Sequence, residues 1–290
     1  MVNAIVTGAT GFVGIHLVKE LIKNGVSVSA VCRENSANIG RLPDNVKIET
    51  DYANLKNADV FYHLAWEDAT GPGRANAQIQ AKNAQMSFAA LEAAHKLSCK
   101  KFIAMGTVYE KFAPQIRTAA KFGNADFYIL SKDYSHVMLE QLALKLGMGF
   151  VWATVCHPIG YLIKPEQMAS GFISGLLNGD KLSMGAGNTL YDIVAVEDVA
   201  KGLYLLGECK LNKNEYYIGS SNSKTLFEYW EEIRKILNSD TPVSYGERPD
   251  DGLRFEEQWF DTSKLREDTG FEPKISFEQA VKNTADWVRR

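Results

Sequence analysis

Two stretches of this chain carry residue types that could do chemistry together. In Tyr128-Ile129-Leu130-Ser131-Lys132 a phenol and an ammonium stand four residues apart, which on a helix puts them on one face. An ammonium beside a phenol lowers the phenol pKa from about 10 toward the working pH. The phenol can then exchange a proton with a carbinol or carbonyl oxygen while a nicotinamide takes or gives hydride. The lysine can also bond to the nicotinamide ribose. Alone, this pair is a common pattern. It gains weight from the start of the chain, Ala4-Ile5-Val6-Thr7-Gly8-Ala9-Thr10-Gly11-Phe12-Val13-Gly14. There a short apolar run ends in a glycine-rich turn and a helical pattern follows at once. Gly8 lets the chain leave the strand sharply, Gly11 lets backbone approach a pyrophosphate, and Gly14 lets the helix pack closely. Open N–H groups at the helix start, around Thr10, Phe12 and Val13, suit phosphates. Strand, turn and helix in this order point to a dinucleotide.

The elements that must position these groups follow in alternation. A second strand, Val26 to Val31, ends at Val31-Cys32-Arg33-Glu34. An acidic residue at that point holds a ribose 2′-hydroxyl, whereas a nearby arginine accommodates a 2′-phosphate. Cys32 followed by Arg33 therefore favours NADP over NAD, with Arg41 as a possible helper and Glu34 on the ribose as the alternative. A third strand ends at Asp51, which either accepts from the adenine amino group or caps the next turn. The fourth, Asp59-Val60-Phe61-Tyr62-His63-Leu64-Ala65, is nearly all apolar, as a parallel strand covered on both faces should be. His63 reads as a core histidine bonded to backbone. Leu64 and small Ala65 at the strand tip leave room for cofactor. The loop from Trp66 to Arg74 faces the ligand crevice of such a sheet, which makes Trp66 and Arg74 candidate substrate contacts. A long helix, roughly 75–97, carries Asn83 on its apolar side, placed to bond backbone near the site and counted with the cofactor-holding residues. A fifth strand, Lys101 to Met105, leads to Gly106-Thr107-Val108-Tyr109.

Composition sets the frame. With 290 residues, 46% of them hydrophobic and 23% charged, the chain can bury a sizeable core in one large domain or two unequal lobes. A net charge of -3 gives no reason to expect nucleic acid or an anionic membrane as partner. Cys32, Cys99, Cys156 and Cys209 show no CxxC spacing, so reduced thiols, no zinc or other metal site and a cytoplasmic location are expected. No apolar run is long enough to span a bilayer. The fold expected is α/β: a doubly wound parallel Rossmann sheet with a smaller C-terminal α/β substrate-binding lobe. The division expected is a dinucleotide-binding core at 1–160 and a mainly substrate-binding lobe at 161–290, with a segment near 190–210 returning to the core. Tyr216 to Gly219 is expected as a short strand of the smaller lobe.

T-G-A-T-G-F-V-G at 7–14, D-V-F-Y-H-L-A-W at 59–66, Asn83 and Y-I-L-S-K at 128–132 together resemble the extended short-chain dehydrogenase/reductase family, best known for NAD(P)-dependent nucleotide-sugar epimerases, dehydratases and reductases. The resemblance returns at Asp192 to Ala200, at Arg248-Pro249-Asp250-Asp251 and at Asp261-Thr262-Ser263-Lys264. It implies Tyr128 as acid/base, Lys132 as its modulator, His157-Pro158 against the nicotinamide face, a nucleotide-sugar substrate and a homodimer built on helices of the cofactor lobe. The family's third catalytic residue, a Ser or Thr at the tip of the fifth strand, falls on Met105 in the usual register. With the loop shortened by two, Thr107 takes that role and touches substrate. The arginine that often precedes the Asp of the D-F-I-Y-V stretch is replaced by Tyr191, leaving Arg248 as the matching phosphate contact. Three readings follow: an NADP-linked reductase or epimerase of a sugar carbinol or ketone, favouring a 4-keto reductase; a reductase of a small carbonyl, suggested by Tyr191; and a dinucleotide sensor without turnover, suggested by Met105.

Overall fold

Alternating apolar strands and amphipathic helices assemble as parallel β/α units. The computed structural model describes residues 1–119, 123–249 and 252–290. The chain runs β1 (Asn3–Thr7), α1 (Phe12–Lys23), β2 (Ser27–Val31), β3 (Lys47–Glu49), β4 (Val60–His63), α2 (Ala77–Lys96), β5 (Lys101–Met105), α3 (Ala113–Arg117), α4 (Asp126–Lys145) and β6 (Gly149–Thr154). It continues through β7 (His157–Ile159), α5 (Met168–Asn178), β8 (Leu182–Met184), β9 (Leu190–Tyr191), β10 (Ile193–Ala195), α6 (Val196–Glu208) and β11 (Glu215–Tyr217). It ends with β12 (Lys224–Thr225), α7 (Leu226–Ile236), β13 (Val243–Tyr245), α8 (Ser263–Thr269) and α9 (Phe277–Val288). One-turn 3-10 helices at Pro72–Ala75 and Val108–Phe112 matter for the site.

The central sheet has seven strands in the order β11-β6-β5-β4-β1-β2-β3, and every adjacent pair is parallel. Successive residues point to opposite faces, and the two cores divide accordingly. Ala4, Val6, Val60, Tyr62, Ile103, Val151 and Ala153 pack under α1 and α6. Ile5, Phe61, Phe102, Phe150 and Trp152 pack under α2 and α4. Helices on both faces make the sheet doubly wound, as expected. A third cluster, built by α5, α7 and α9 with Tyr128, Tyr191 and Phe255, lies beyond the carboxyl ends of the strands.

Strand order reverses between β1 and β4, so their tips border the crevice where such sheets bind ligands. One expectation fails here. Glu215–Tyr217 belongs to the central sheet, where it pairs with β6 as an edge strand. Tyr216 looked like a small-lobe residue because a three-residue strand carries too little pattern to show its partner. Among the described residues no helix is long and apolar enough to cross a membrane, the four cysteines are free, and no group of three potential metal ligands occurs.

Candidate active site

The glycine turn is built by steric demand. Gly8 has φ +69, and a Cβ there would lie 2.7 Å from Ala65 N and Leu64 C. The turn thus sits directly on the tip of β4. A Cβ on Gly14 would lie 2.1 Å from the Gly8 carbonyl oxygen, so the close packing that Gly14 permits is against the turn itself. Gly11 is the N-cap of α1, with no side-chain cap and no acid in the first turn. The N–H groups of Phe12 and Val13 have no acceptor within the helix, and Gly11 lies exposed in front of them. A small, uncapped, positively polarised helix start at the switch point fits a dinucleotide pyrophosphate.

The flanking loops are tied to this turn. Ser36 Oγ donates to Thr10 Oγ1 at 2.8 Å, and Asn38 Nδ2 donates to the Thr10 carbonyl at 3.2 Å. Arg33 stands exposed just past β2. Arg41 is engaged elsewhere. Its Nη1 donates to the Tyr161 hydroxyl at 2.7 Å and its guanidinium lies 5.1 Å from the Trp287 ring, which turns it toward the C-terminal helix. Asp51 caps the following turn by accepting from Ala53 N at 3.0 Å, so of its two readings the structure supplies the capping one.

At β4, His63 is a core residue, but its partners are side chains and not backbone. Its Nδ1 pairs with Thr7 Oγ1 and its Nε2 with Ser87 Oγ, each at 2.9 Å. Burial pushes its pKa down to about 3, aided by the Lys132 charge, so it stays neutral at pH 7. Asn83 is fully buried, and its amide is spent on the loop: it donates to Glu67 O and accepts from Glu67 N, both at 2.8 Å. That corrects its assignment as a cofactor contact, since it holds the loop that follows β4. Gln80 assists, accepting from Trp66 Nε1 at 2.8 Å and donating to Gly73 O at 3.0 Å. Gln80 was missed in the sequence. A polar residue one turn before Asn83 on the same buried helix face was its signal.

The acid/base candidates converge at the tip of β5. Tyr128 and Lys132 are both buried on α4. The Thr107 hydroxyl lies near the Tyr128 phenol and helps to bring its pKa down. Thr107 is the N-cap of the 3-10 turn and forms a capping box with Glu110. The Glu110 carboxylate, 4% exposed, also accepts from Trp152 Nε1 at 2.8 Å. Glu110 was likewise missed; a carboxylate directly after Val108-Tyr109 was the available signal. Met105 contributes its carbonyl, which accepts from Lys132 Nζ at 2.7 Å.

Burial pushes the Tyr128 phenol up, and the Arg74 charge is the largest influence bringing it down, followed by the Thr107 hydroxyl. The Arg74 guanidinium lies 4.4 Å from the Tyr128 ring centre and 5.0 Å from that of Tyr109. Lys132 Nζ lies 3.5 Å from the Trp66 ring centre, and burial pushes its pKa down to about 7. His157 packs edge-on to Tyr191 at 6.4 Å, and the Tyr191 and Tyr109 hydroxyls bond to each other. Burial and the Arg74 charge push His157 down to about 4. Arg74 Nε and His157 Nε2 are buried without a hydrogen-bond partner among the described residues. Buried nitrogens left without a partner are open to one from outside the chain, Arg74 Nε as donor and His157 Nε2 as donor or acceptor by tautomer. Arg248 is exposed on the loop after β13; Asp250 and Asp251 of its motif lie outside the described residues.

Comparison with known proteins agrees with the fold. Residues 4–219 match the model of the NAD dependent epimerase/dehydratase family. CDP-abequose synthase of Salmonella muenchen is 24% identical over 96% of this chain and 95% of its own. UDP-N-acetyl-alpha-D-glucosaminuronate decarboxylase of Bacillus cytotoxicus is 25% identical over 99% and 98%. Among solved structures, UDP-glucose 4-epimerase of Thermotoga maritima with UDP-glucose superposes with a TM-score of 0.80 at 24% identity, covering 99% of this chain and 98% of that one. WbmF of Bordetella bronchiseptica in complex with NADH gives 0.80 at 23% identity, covering 99% and 92%.

Proposed function

The chain belongs to the NAD dependent epimerase/dehydratase family, as an enzyme of the extended short-chain dehydrogenase type, and from that premise we propose that it reduces a 4-keto nucleotide sugar with NADPH. The observation that carries this reading is the gathering of buried Tyr128, Lys132 and Thr107 at the tip of β5, where Lys132 Nζ donates to Met105 O at 2.7 Å. When bound, the cofactor supplies hydride. Tyr128 gives its proton to the substrate oxygen as the ketone becomes a carbinol. Thr107 bonds to the same oxygen and orients it. Lys132, fixed on Met105 O, borders the cofactor ribose, and His157 borders its nicotinamide. Gly8, Thr10, Gly11, Phe12, Val13, Leu64 and Ala65 form the cofactor cradle. Trp66 and Arg74 border the sugar, and Arg248 reaches the nucleotide phosphates.

Two features support NADPH over NADH: Cys32 stands where an acid would hold the ribose, and Arg33 beside it is exposed. The same reading makes residues 1–160 the cofactor lobe and 161–290 mainly the substrate lobe, with 190–210 returning to the core. It makes the enzyme a cytoplasmic homodimer. Tyr134, Val137, Met138 and Leu144 leave an exposed apolar stripe along α4, which suits a second copy. The sensor reading rests on Met105, and the Thr107 hydroxyl beside it supports turnover instead.

A second reading, reduction of a small carbonyl without a nucleotide, is favoured by Tyr191, whose hydroxyl is engaged by Tyr109 where relatives of this type often carry a phosphate-binding arginine. Titration with NADPH and NADH, then turnover on a panel of 4-keto nucleotide sugars and simple ketones, separates the two. Turnover of nucleotide sugars with tighter NADPH binding supports the proposal. Turnover of simple ketones alone supports the second reading, and tighter NADH binding overturns the cofactor preference.

A further inference from the structure

We propose that Glu110 is the positioning residue that holds Thr107 in place against α4, and that Trp152 and His136 hold Glu110. The inference rests on the reading of Tyr128 and Thr107 as the groups that meet the substrate oxygen. Glu110 acts through Thr107 and touches neither substrate nor cofactor.

Glu110 lies in the 3-10 turn at Val108–Phe112, and its side chain is buried. Burying a carboxylate is costly unless hydrogen bonds replace its water. Three elements supply them. From β6, Trp152 Nε1 donates to Oε1 at 2.8 Å and to Oε2 at 3.0 Å. From α4, His136 Nδ1 lies 3.1 Å from Oε1, and a histidine donates there as the Nδ1–H tautomer or when charged. From the turn itself, Thr107 N donates to Oε2 at 3.5 Å within the capping box. Both oxygens are thus spent inside the chain. The two outer anchors are themselves fixed. The His136 ring lies flat on the Trp152 indole, with centres 4.7 Å and planes 7° apart. A Cβ on Gly106 would lie 2.2 Å from Trp152 Nε1, so the indole N–H sits against the backbone one residue before Thr107.

Tyr128, Lys132 and His136 recur every four residues and so share one face of α4. That face is tied to the end of β5 at two heights. Lys132 Nζ donates to Met105 O at 2.7 Å, and one turn further along the helix His136 meets Glu110. A single tie sets a distance; two also set the tilt of the helix over the turn. This frame sets the separation between the Thr107 hydroxyl and the Tyr128 phenol. A reacting group misplaced by about 1 Å can cost about 10²-fold in rate. A glutamine at position 110 has the shape of the glutamate but only one acceptor oxygen. With that oxygen on Trp152 Nε1, its amide nitrogen faces the Thr107 N–H, donor against donor.

The test compares Glu110→Gln, Trp152→Phe, Thr107→Val and Thr107→Val combined with Glu110→Gln in steady-state reduction of 4-keto nucleotide sugars by NADPH. Glu110→Gln is expected to lower kcat about tenfold or more, with KM and NADPH affinity near native. Trp152→Phe keeps the carboxylate charge and releases it on one side, so a lowered kcat there marks position as the cause. In the Thr107→Val background, Glu110→Gln is expected to cost little more, because the hydroxyl it acts through is gone. Melting curves show which variants are folded, and Trp152→Phe takes the place of Glu110→Gln in both backgrounds should the latter fail to fold. A native kcat in Glu110→Gln, or a full additional loss in the combined variant, overturns the proposal. A native kcat in Trp152→Phe beside a lowered one in Glu110→Gln assigns the effect to charge and overturns it too. If the native chain turns over none of these sugars, the proposed function fails, and hydrogen exchange at the Thr107 amide decides this inference alone. Faster exchange in Glu110→Gln then supports the frame, and native exchange overturns it.

Discussion

Thr107 carries two duties that different substitutions separate. Its Oγ1 accepts from Tyr109 N at 3.3 Å within the capping box, and the same hydroxyl faces the Tyr128 phenol. Loss of an N-cap hydroxyl costs about 1 kcal/mol, and loss of one positioned donor lowers turnover about 10²-fold or more. Thr107→Ser is expected to keep both stability and turnover, and Thr107→Val to lose both, as read by melting and by steady-state kinetics. Full turnover in Thr107→Val would exclude a role for this hydroxyl in the reaction. Lys132 gives a pH signature. Its folded pKa of about 7 lies below the usual lysine value of 10.5, so between these limits the unfolded chain binds the extra proton. Stability contributed at this site therefore rises with pH through that window. The unfolding free energy of the cofactor-free protein minus that of Lys132→Met is expected to increase from pH 7 to pH 9; a flat difference contradicts the buried, proton-losing lysine. At this scale the sequence was partly legible. Tyr128, Lys132 and the glycine turn are local patterns and could be read directly. The cation over Tyr128 comes from 54 residues earlier in the chain, and no local spacing reports such an approach.

At the scale of elements, the glycine turn and the tip of β4 form one packed unit. A Cβ on Gly14 meets the Gly8 carbonyl at 2.1 Å, backbone that has no side chain to rotate away. Gly14→Ala is expected to shift α1 off the turn, lowering dinucleotide affinity at least about tenfold and destabilising the fold by about 1–3 kcal/mol. Calorimetric titration and denaturant unfolding read the two effects, and native affinity in Gly14→Ala would show that the turn is looser than described. The first five strands of the central sheet were legible, the three-residue β3 among them. β11 was misplaced because its three residues pair at an edge that only the tertiary structure defines. His63 was legible as core, but its two side-chain partners were not, because Thr7 and Ser87 come from separate elements. Glu110 and Gln80 were missed for a related reason. Each is polar in an apolar setting, and their roles follow only from what lies opposite them, Trp152 Nε1 and Trp66 Nε1.

For the whole molecule, doubly wound topology places the glycine turn, the tips of β4 and β5 and the start of α4 around one crevice, while α4 turns its outer face to solvent. That face presents Val137 at 54% and Leu144 at 72% exposure. A charge in its centre, Val137→Glu, is expected to convert a dimer to a monomer in light scattering coupled to gel filtration, with turnover per chain retained. An unaltered mass would place the dimer contact elsewhere. The central claim is that a phenol exchanges the proton while a dinucleotide exchanges the hydride, and Tyr128→Phe tests it most directly. With saturating NADPH and a 4-keto nucleotide sugar, hydride transfer in a single turnover is expected to fall about 10²- to 10⁴-fold, with NADPH affinity unchanged. Hydride transfer at the native rate in Tyr128→Phe would contradict the account.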